Sequence, residues 1–132
     1  MKKFLLSVIT LFIVDFASAQ ATATIVDDAP YSYEEVEVRP EFPGGNSAFM
    51  TFISKNYQMP EYDGNGGTLK IAFIIEIDGT VSNVNVVKDL GGGTGAEGKR
   101  VISMSPKWSP GETRGQKVRV LYELPIKIAG QG

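Results

Sequence analysis

The stretch from Thr68 to Lys88 constrains this chain most. Two runs of β-branched and aliphatic residues flank Asp78-Gly79. A two-residue type I′ turn asks for such a pair, because both of its central residues sit at positive φ. Closing a β-hairpin there sets Ile77 opposite Thr80, Ile75 opposite Ser82, Phe73 opposite Val84 and Ile71 opposite Val86. One face then gathers Leu69, Ile71, Phe73, Ile75, Val84 and Val86. The other carries Lys70, Glu76, Asn83 and Asn85, with Ile74 and Val81 as exceptions. A slip of one residue would scramble that division. A hairpin with one apolar face is only marginally stable alone, so the rest of the chain must cover that face.

The cover can be read on both sides of the hairpin. Upstream, Val36-Glu37-Val38 alternates like a short strand, and Arg39 to Gly45 makes a Pro- and Gly-rich turn. Asn46 or Ser47 can then cap a helix. Its Phe49, Phe52, Ile53 and Tyr57 form one apolar stripe to lay on the sheet, and Pro60 stops it. Downstream, a glycine loop leads into a second helix over 95–104, with Val101 and Met104 as its apolar contacts. Gly98 inside that helix costs ~1 kcal/mol relative to Ala. Trp108, in the Pro-bounded segment that follows, reads as a large side chain closing the core. Gly115 allows a turn into a third strand, 117–128, on which Val118, Val120, Tyr122 and Leu124 face one way and Arg119, Leu121 and Glu123 the other.

These elements predict an α+β fold: a three-stranded sheet of antiparallel neighbours with two helices on one face. Strand 68–77 has the longest apolar run and belongs in the centre. Pro125 belongs on an edge strand, because proline lacks the ladder N–H. The sheet order 2-1-3 follows, with strand 117–128 at one edge.

Bulk properties narrow the function. A chain of 132 residues fits one domain. It has no cysteine and no histidine. That excludes disulfides, Cys/His metal sites, Cys or His nucleophile chemistry, a Ser-His-Asp triad and a lipid-modified N-terminal cysteine. A net charge of −2 offers nucleic acid no electrostatic footprint. Lys2 and Lys3, the apolar run Phe4 to Val14 and Ala17-Ser18-Ala19 have the form of a cleavable export leader that leaves Gln20 first. The apolar run is shorter than the ~20 residues a membrane-spanning helix needs. The chain therefore divides into a signal peptide (1–19), a flexible acidic tail (20–35), a folded domain (36–128) and a disordered C-terminus (129–132).

The candidate chemical motifs are weak. Gly93-Thr-Gly-Ala-Glu-Gly98 matches the dinucleotide fingerprint, but a three-stranded domain without a suitably spaced acidic residue cannot complete such a site. The bland reading is a loop that uses glycine for its turns. Pro43-Gly44-Gly45 before a helix reads as a plain turn, with no Lys or Arg beside it to favour an anion. The acidic residues are too scattered for a calcium loop or a fixed acid/base pair. No catalytic residue, no metal site and no cofactor are expected.

Three pieces in order carry a family resemblance: Pro40-Glu-Phe-Pro-Gly-Gly45 before a short helix, the hairpin with its central Asp78-Gly79, and Met104-Ser-Pro-Lys-Trp-Ser-Pro-Gly111 followed by Val118 to Ile126. From about Val36 to Ile128 this resembles the C-terminal domain of TonB-type energy transducers of Gram-negative bacteria. The resemblance implies a periplasmic domain whose edge strand captures a short extended segment of an outer-membrane transporter. Carried over residue by residue, that edge comprises Val118, Arg119, Val120, Leu121, Tyr122, Glu123 and Leu124. The leader reads as cleavable, and 20–35 would reach at most ~55 Å fully extended. A transducer keeps its membrane helix and a long Pro-rich linker. The expectation is therefore a non-enzymatic, exported adaptor that binds an envelope protein by strand addition, accessory to TonB-dependent transport, with no nucleic-acid or small-molecule partner. The alternative is a structural envelope domain whose edge pairs with a second copy as a homodimer.

Overall fold

The computed structural model of the protein describes residues 29–130. The expected leader, most of the expected tail and the last two residues lie outside the described residues. Strand β1 (Tyr31–Ser32) comes first, then helix α1 (Asn46–Asn56) and the long strands β2 (Gly66–Ile75) and β3 (Val81–Lys88). Helix α2 (Thr94–Ser103), a small hairpin of β4 (Gly111–Thr113) and β5 (Gln116–Val118), and strand β6 (Val120–Ala129) complete the chain. The main sheet has four strands in the order β1-β6-β2-β3. The three expected strands keep their expected neighbours, both antiparallel. The expected three-stranded sheet is corrected by β1, which adds a fourth strand parallel to β6 and makes the sheet mixed.

The apolar face of β2 organises the core, as its alternation requires. Leu69, Ile71, Phe73 and Ile75 are fully buried, and β6 adds Val120 and Leu124 on the same side. Helix α1 buries Phe49 and Ile53 against them, with Phe52 and Tyr57 half-buried. Gly45 precedes the helix, and no side chain caps it, contrary to the expected role of Asn46 or Ser47. In α2 the buried pair is Val101 and Ile102, while Met104 is exposed. The helix ends at Ser103, which releases Met104 from the apolar stripe.

Two features of the hairpin differ from expectation. The turn at Asp78-Gly79 is a three-residue loop, with the Gly79 N–H donating to the Glu76 carbonyl and the Glu76 N–H to the Thr80 carbonyl, each at 2.8 Å. Gly79, at φ 89°, takes the left-handed position that ends such loops. The first pairs are therefore Ile75↔Val81 and Ile74↔Ser82, one residue off the expected register. Asn83, at φ 48°, then bulges out of β3, and the expected pair Ile71↔Val86 is restored. A second irregularity between Lys70 and Ile71 shifts β3 again. The two-residue turn with both central residues at positive φ occurs instead at Arg114-Gly115.

The expected strand 117–128 also divides. Val118 pairs with Gly111 in the small hairpin, and β6 starts at Val120. The segment before α1 is tied to that hairpin. Val38 exchanges backbone hydrogen bonds with Glu112, Glu41 exchanges them with Ser109, and the Glu37 carboxylate accepts the Arg114 N–H at 3.0 Å. Trp108, next to the Ser109 tie, is 5% exposed, with Phe42, Phe49, Phe73 and Tyr122 around its ring and its indole N–H donating to Ser105 Oγ at 2.8 Å.

Candidate partner-binding edge

Backbone groups of a strand point alternately to its two sides. The pairing of β6 with β2 runs from Val120 to Ala129 without a break. The carbonyls of Arg119 and Leu121 face away from β2, because they accept the N–H groups of Tyr31 and Tyr33 at 2.8 and 3.0 Å. By alternation Glu123, Pro125 and Lys127 face the same outer side. Pro125 therefore fits the strand: the ladder N–H it lacks would have pointed away from β2.

The seven residues expected to bind a partner thus have different roles. Val118 belongs to the small hairpin. Val120 and Leu124 are core residues, 0% and 2% exposed. Arg119 clasps Glu76 through Nε at 2.7 Å and through a second guanidinium nitrogen at 3.2 Å, so its side chain is engaged within the domain. That clasp, together with Ser82, holds the Glu76 carboxyl below its ordinary range. Leu121 and Glu123 are exposed on the outer edge, and Tyr122 is half-buried.

The edge is not wholly open, which the expected tail over 20–35 did not foresee. Residues 31–33 lie against the sheet. Tyr31 pairs with Val120 and Ser32 with Leu121, and the Tyr33 ring stacks on Tyr122 at 4.2 Å with 12° between planes. Arg39 sits over the other face of Tyr33, 4.9 Å from its centre, and pairs with Glu34 at 2.8 Å. Burial raises the Tyr122 phenol above its ordinary range, and the neighbouring Tyr33 adds to the rise. The available signal was the alternation of two aromatics in Tyr31-Ser32-Tyr33, a strand signature too short to weigh in an acidic segment.

Where β1 turns away, a cleft of about 300 Å³ opens between Tyr33 and Glu123. Among the described residues, no strand pairs with the outer side of β6 beyond Leu121. Further along, an apolar groove of about 360 Å³ separates α1 from β6, lined by Met50, Ile53, Tyr57, Met59, Ile126 and Ile128.

The glycine motif before α2 is a folding device. The Asp89 carboxylate occupies the helix N-terminus and accepts the N–H groups of Gly91 and Gly95 at 2.9 and 3.1 Å. Those bonds hold its carboxyl below the ordinary range. A dinucleotide phosphate would meet a bound carboxylate there. Among the described residues, no group of three or more acidic side chains is placed to hold a metal ion.

The family model described as Gram-negative bacterial TonB protein C-terminal matches residues 58–127, more than half of the chain. The chain belongs to that family, as the resemblance implied. Its domains are periplasmic and non-catalytic, and they interact with outer-membrane proteins. The matched range covers β2 to β5 and β6 as far as Lys127, and leaves β1 and α1 outside it. No curated protein and no solved structure matches the chain. Among the described residues, no helix is long and apolar enough to cross a membrane.

Proposed function

We propose that this chain is exported, loses its leader after Ala19 and acts in the periplasm as an adaptor. It binds an extended segment of an outer-membrane or other envelope protein by strand addition along the outer edge of β6, in support of TonB-dependent transport. The observation that carries this reading is that the same edge accepts a strand from the chain itself, through the carbonyls of Arg119 and Leu121. In this reading Arg119, Leu121 and Glu123 supply backbone groups and Tyr122 supplies a surface. Val118, Val120 and Leu124 hold the strand in place. Main-chain pairing provides affinity without a deep pocket.

Peptides copied from the periplasm-facing segments of outer-membrane transporters test it. They are titrated into the chain that begins at Gln20. Binding is expected, and N-methylation of every second peptide amide should abolish it while N-methylation of the intervening amides leaves it intact. Equal binding of both methylated series would sink strand addition. Molecular mass that rises with protein concentration, with no peptide bound, would favour a self-pairing envelope domain instead. Intact mass of the exported protein should start at Gln20. A chain retained at Met1 in the inner membrane would reinstate a transducer role.

A further inference from the structure

We infer that Tyr31–Tyr33 is a displaceable internal strand that holds the partner's place, and that the partner strand bears an aromatic side chain which takes over the seat of Tyr33 on Tyr122. The inference rests on the proposed edge-binding reading and adds both a partner chemistry and a built-in competitor to it.

The hold of β1 on the sheet is slight. Its described hold includes two paired residues, two backbone N–H groups that donate to β6, and the stack of Tyr33 on Tyr122. Its ion pair, Arg39–Glu34, joins side chains that are 50% and 75% exposed, so solvent screens it. Segments with so few buried contacts open at the low end of a protein's stability range. The anchors of the following segment are separate: Val36 is buried, and Val38 and Glu41 are tied to the 109–112 backbone. Residues 31–33 can therefore leave while 36–41 stay, with the turn at 33–35 as the hinge.

The seat dictates the replacement. Tyr122 lies against Phe73 at 5.4 Å and Trp108 at 6.2 Å, so its inner side belongs to the core and Tyr33 covers its outer side. Removing Tyr33 uncovers an aromatic face, and another flat ring re-covers it in the same offset stack. A free strand also has an advantage of reach. The chain turns away after Tyr33, but a partner running in the same direction continues along the edge to Glu123. In that register the residue four beyond its aromatic lies level with Ile126, at the apolar groove under α1.

The probe is the peptide Ala-Pro-Tyr-Ser-Tyr-Glu-Glu, which copies residues 29–35. It is titrated into the chain from Gln20, wild type and Tyr33→Ala, with amide NMR shifts as readout. Tyr33→Ala should bind it about tenfold or more tightly than wild type, the factor by which an internal strand docked ~90% of the time masks its own site. Shifts should centre on Leu121 to Glu123, and replacing the peptide's second tyrosine by alanine should remove the binding. Equal affinity for both proteins, or shifts elsewhere, overturns the inference. Because the chain has no cysteine, Ser32→Cys with Leu121→Cys gives a second measurement through a disulfide that pins β1. The pinned form should reject the peptide until it is reduced, and binding that ignores reduction also overturns the inference. If the self-peptide behaves as expected but transporter segments do not compete with it, the internal strand stands and the proposed partner class falls.

Discussion

Gly79 and Trp108 are locked to each other through their backbones. The Trp108 N–H donates to the Gly79 carbonyl at 2.9 Å, and a Cβ on Gly79 would collide with the carbonyl oxygen of Trp108. The hairpin loop thus fixes the chain segment that delivers the central tryptophan to the core.

Gly79→Ala is expected to be among the most damaging single changes in the chain. Alanine at φ 89° is strained, and its methyl group has no room. The combined cost should be at least ~2 kcal/mol, which lowers the melting midpoint by roughly 10 °C for a domain of this size. Thermal unfolding followed by circular dichroism measures it. A midpoint within a degree or two of wild type would mean that the loop does not abut Trp108.

Gly98 poses a sharper test, because two effects oppose each other. Alanine would favour the helix by ~1 kcal/mol. Its Cβ would however sit 2.6 Å from Cδ1 of the fully buried Ile71, and such overpacking typically costs ~1–3 kcal/mol. Gly98→Ala should therefore destabilise on balance. Ile71→Val removes the colliding atom, so the double variant should be more stable than the sum of the two single changes allows. Strict additivity in a denaturant-unfolding cycle would show that helix α2 does not rest on Ile71.

Glu97 couples stability to acid. Its carboxylate accepts two bonds from Arg100, at 2.9 and 2.6 Å, and the Gln58 N–H at 2.7 Å, while Arg100 also donates to the Asn56 carbonyl at 2.8 Å. This clasp joins α2 to the end of α1. Arg100 chiefly, then the Gln58 N–H, brings the Glu97 carboxyl from 4.5 down to about 2. Between those values the unfolded chain binds the proton and the folded chain does not. The contribution is therefore full above about pH 4.5 and is lost as pH falls through about 2. The melting-point gap between wild type and Glu97→Gln should be widest near neutral pH and close as pH approaches 2. A gap that stays constant across that range would rule the clasp out.

The parts of the fold legible in the sequence are those written in short periods. The alternation in β2 and the stripe Phe49, Phe52, Ile53 and Tyr57 placed the core correctly. Asp78-Gly79 located the hairpin but not its loop, because glycine at positive φ serves two-residue and three-residue loops alike. The Asn83 bulge, which brings Val81 onto the core face near the turn and then restores the expected register, depends on pairing rather than on composition. At the candidate edge, β6 was legible through its alternation and Pro125. Its cover was not, since β1 is held by Leu121 and Tyr122, about ninety residues away along the chain. The Arg119–Glu76 pair was hidden for the same reason: Glu76 lies just past the end of β2, at the hairpin loop.

The two register breaks of β3 have a consequence for assembly. An outer strand whose pairing register shifts twice is a poor template for another chain, so that side of the sheet resists growth. Among the described residues, the other side of the main sheet offers the unpaired outer backbone of β6 beyond Leu121. A second molecule that paired there would spend the same edge in both copies, and such a two-fold contact closes on itself. Under the proposed strand addition, that closure would keep two paired copies from growing into a fibre.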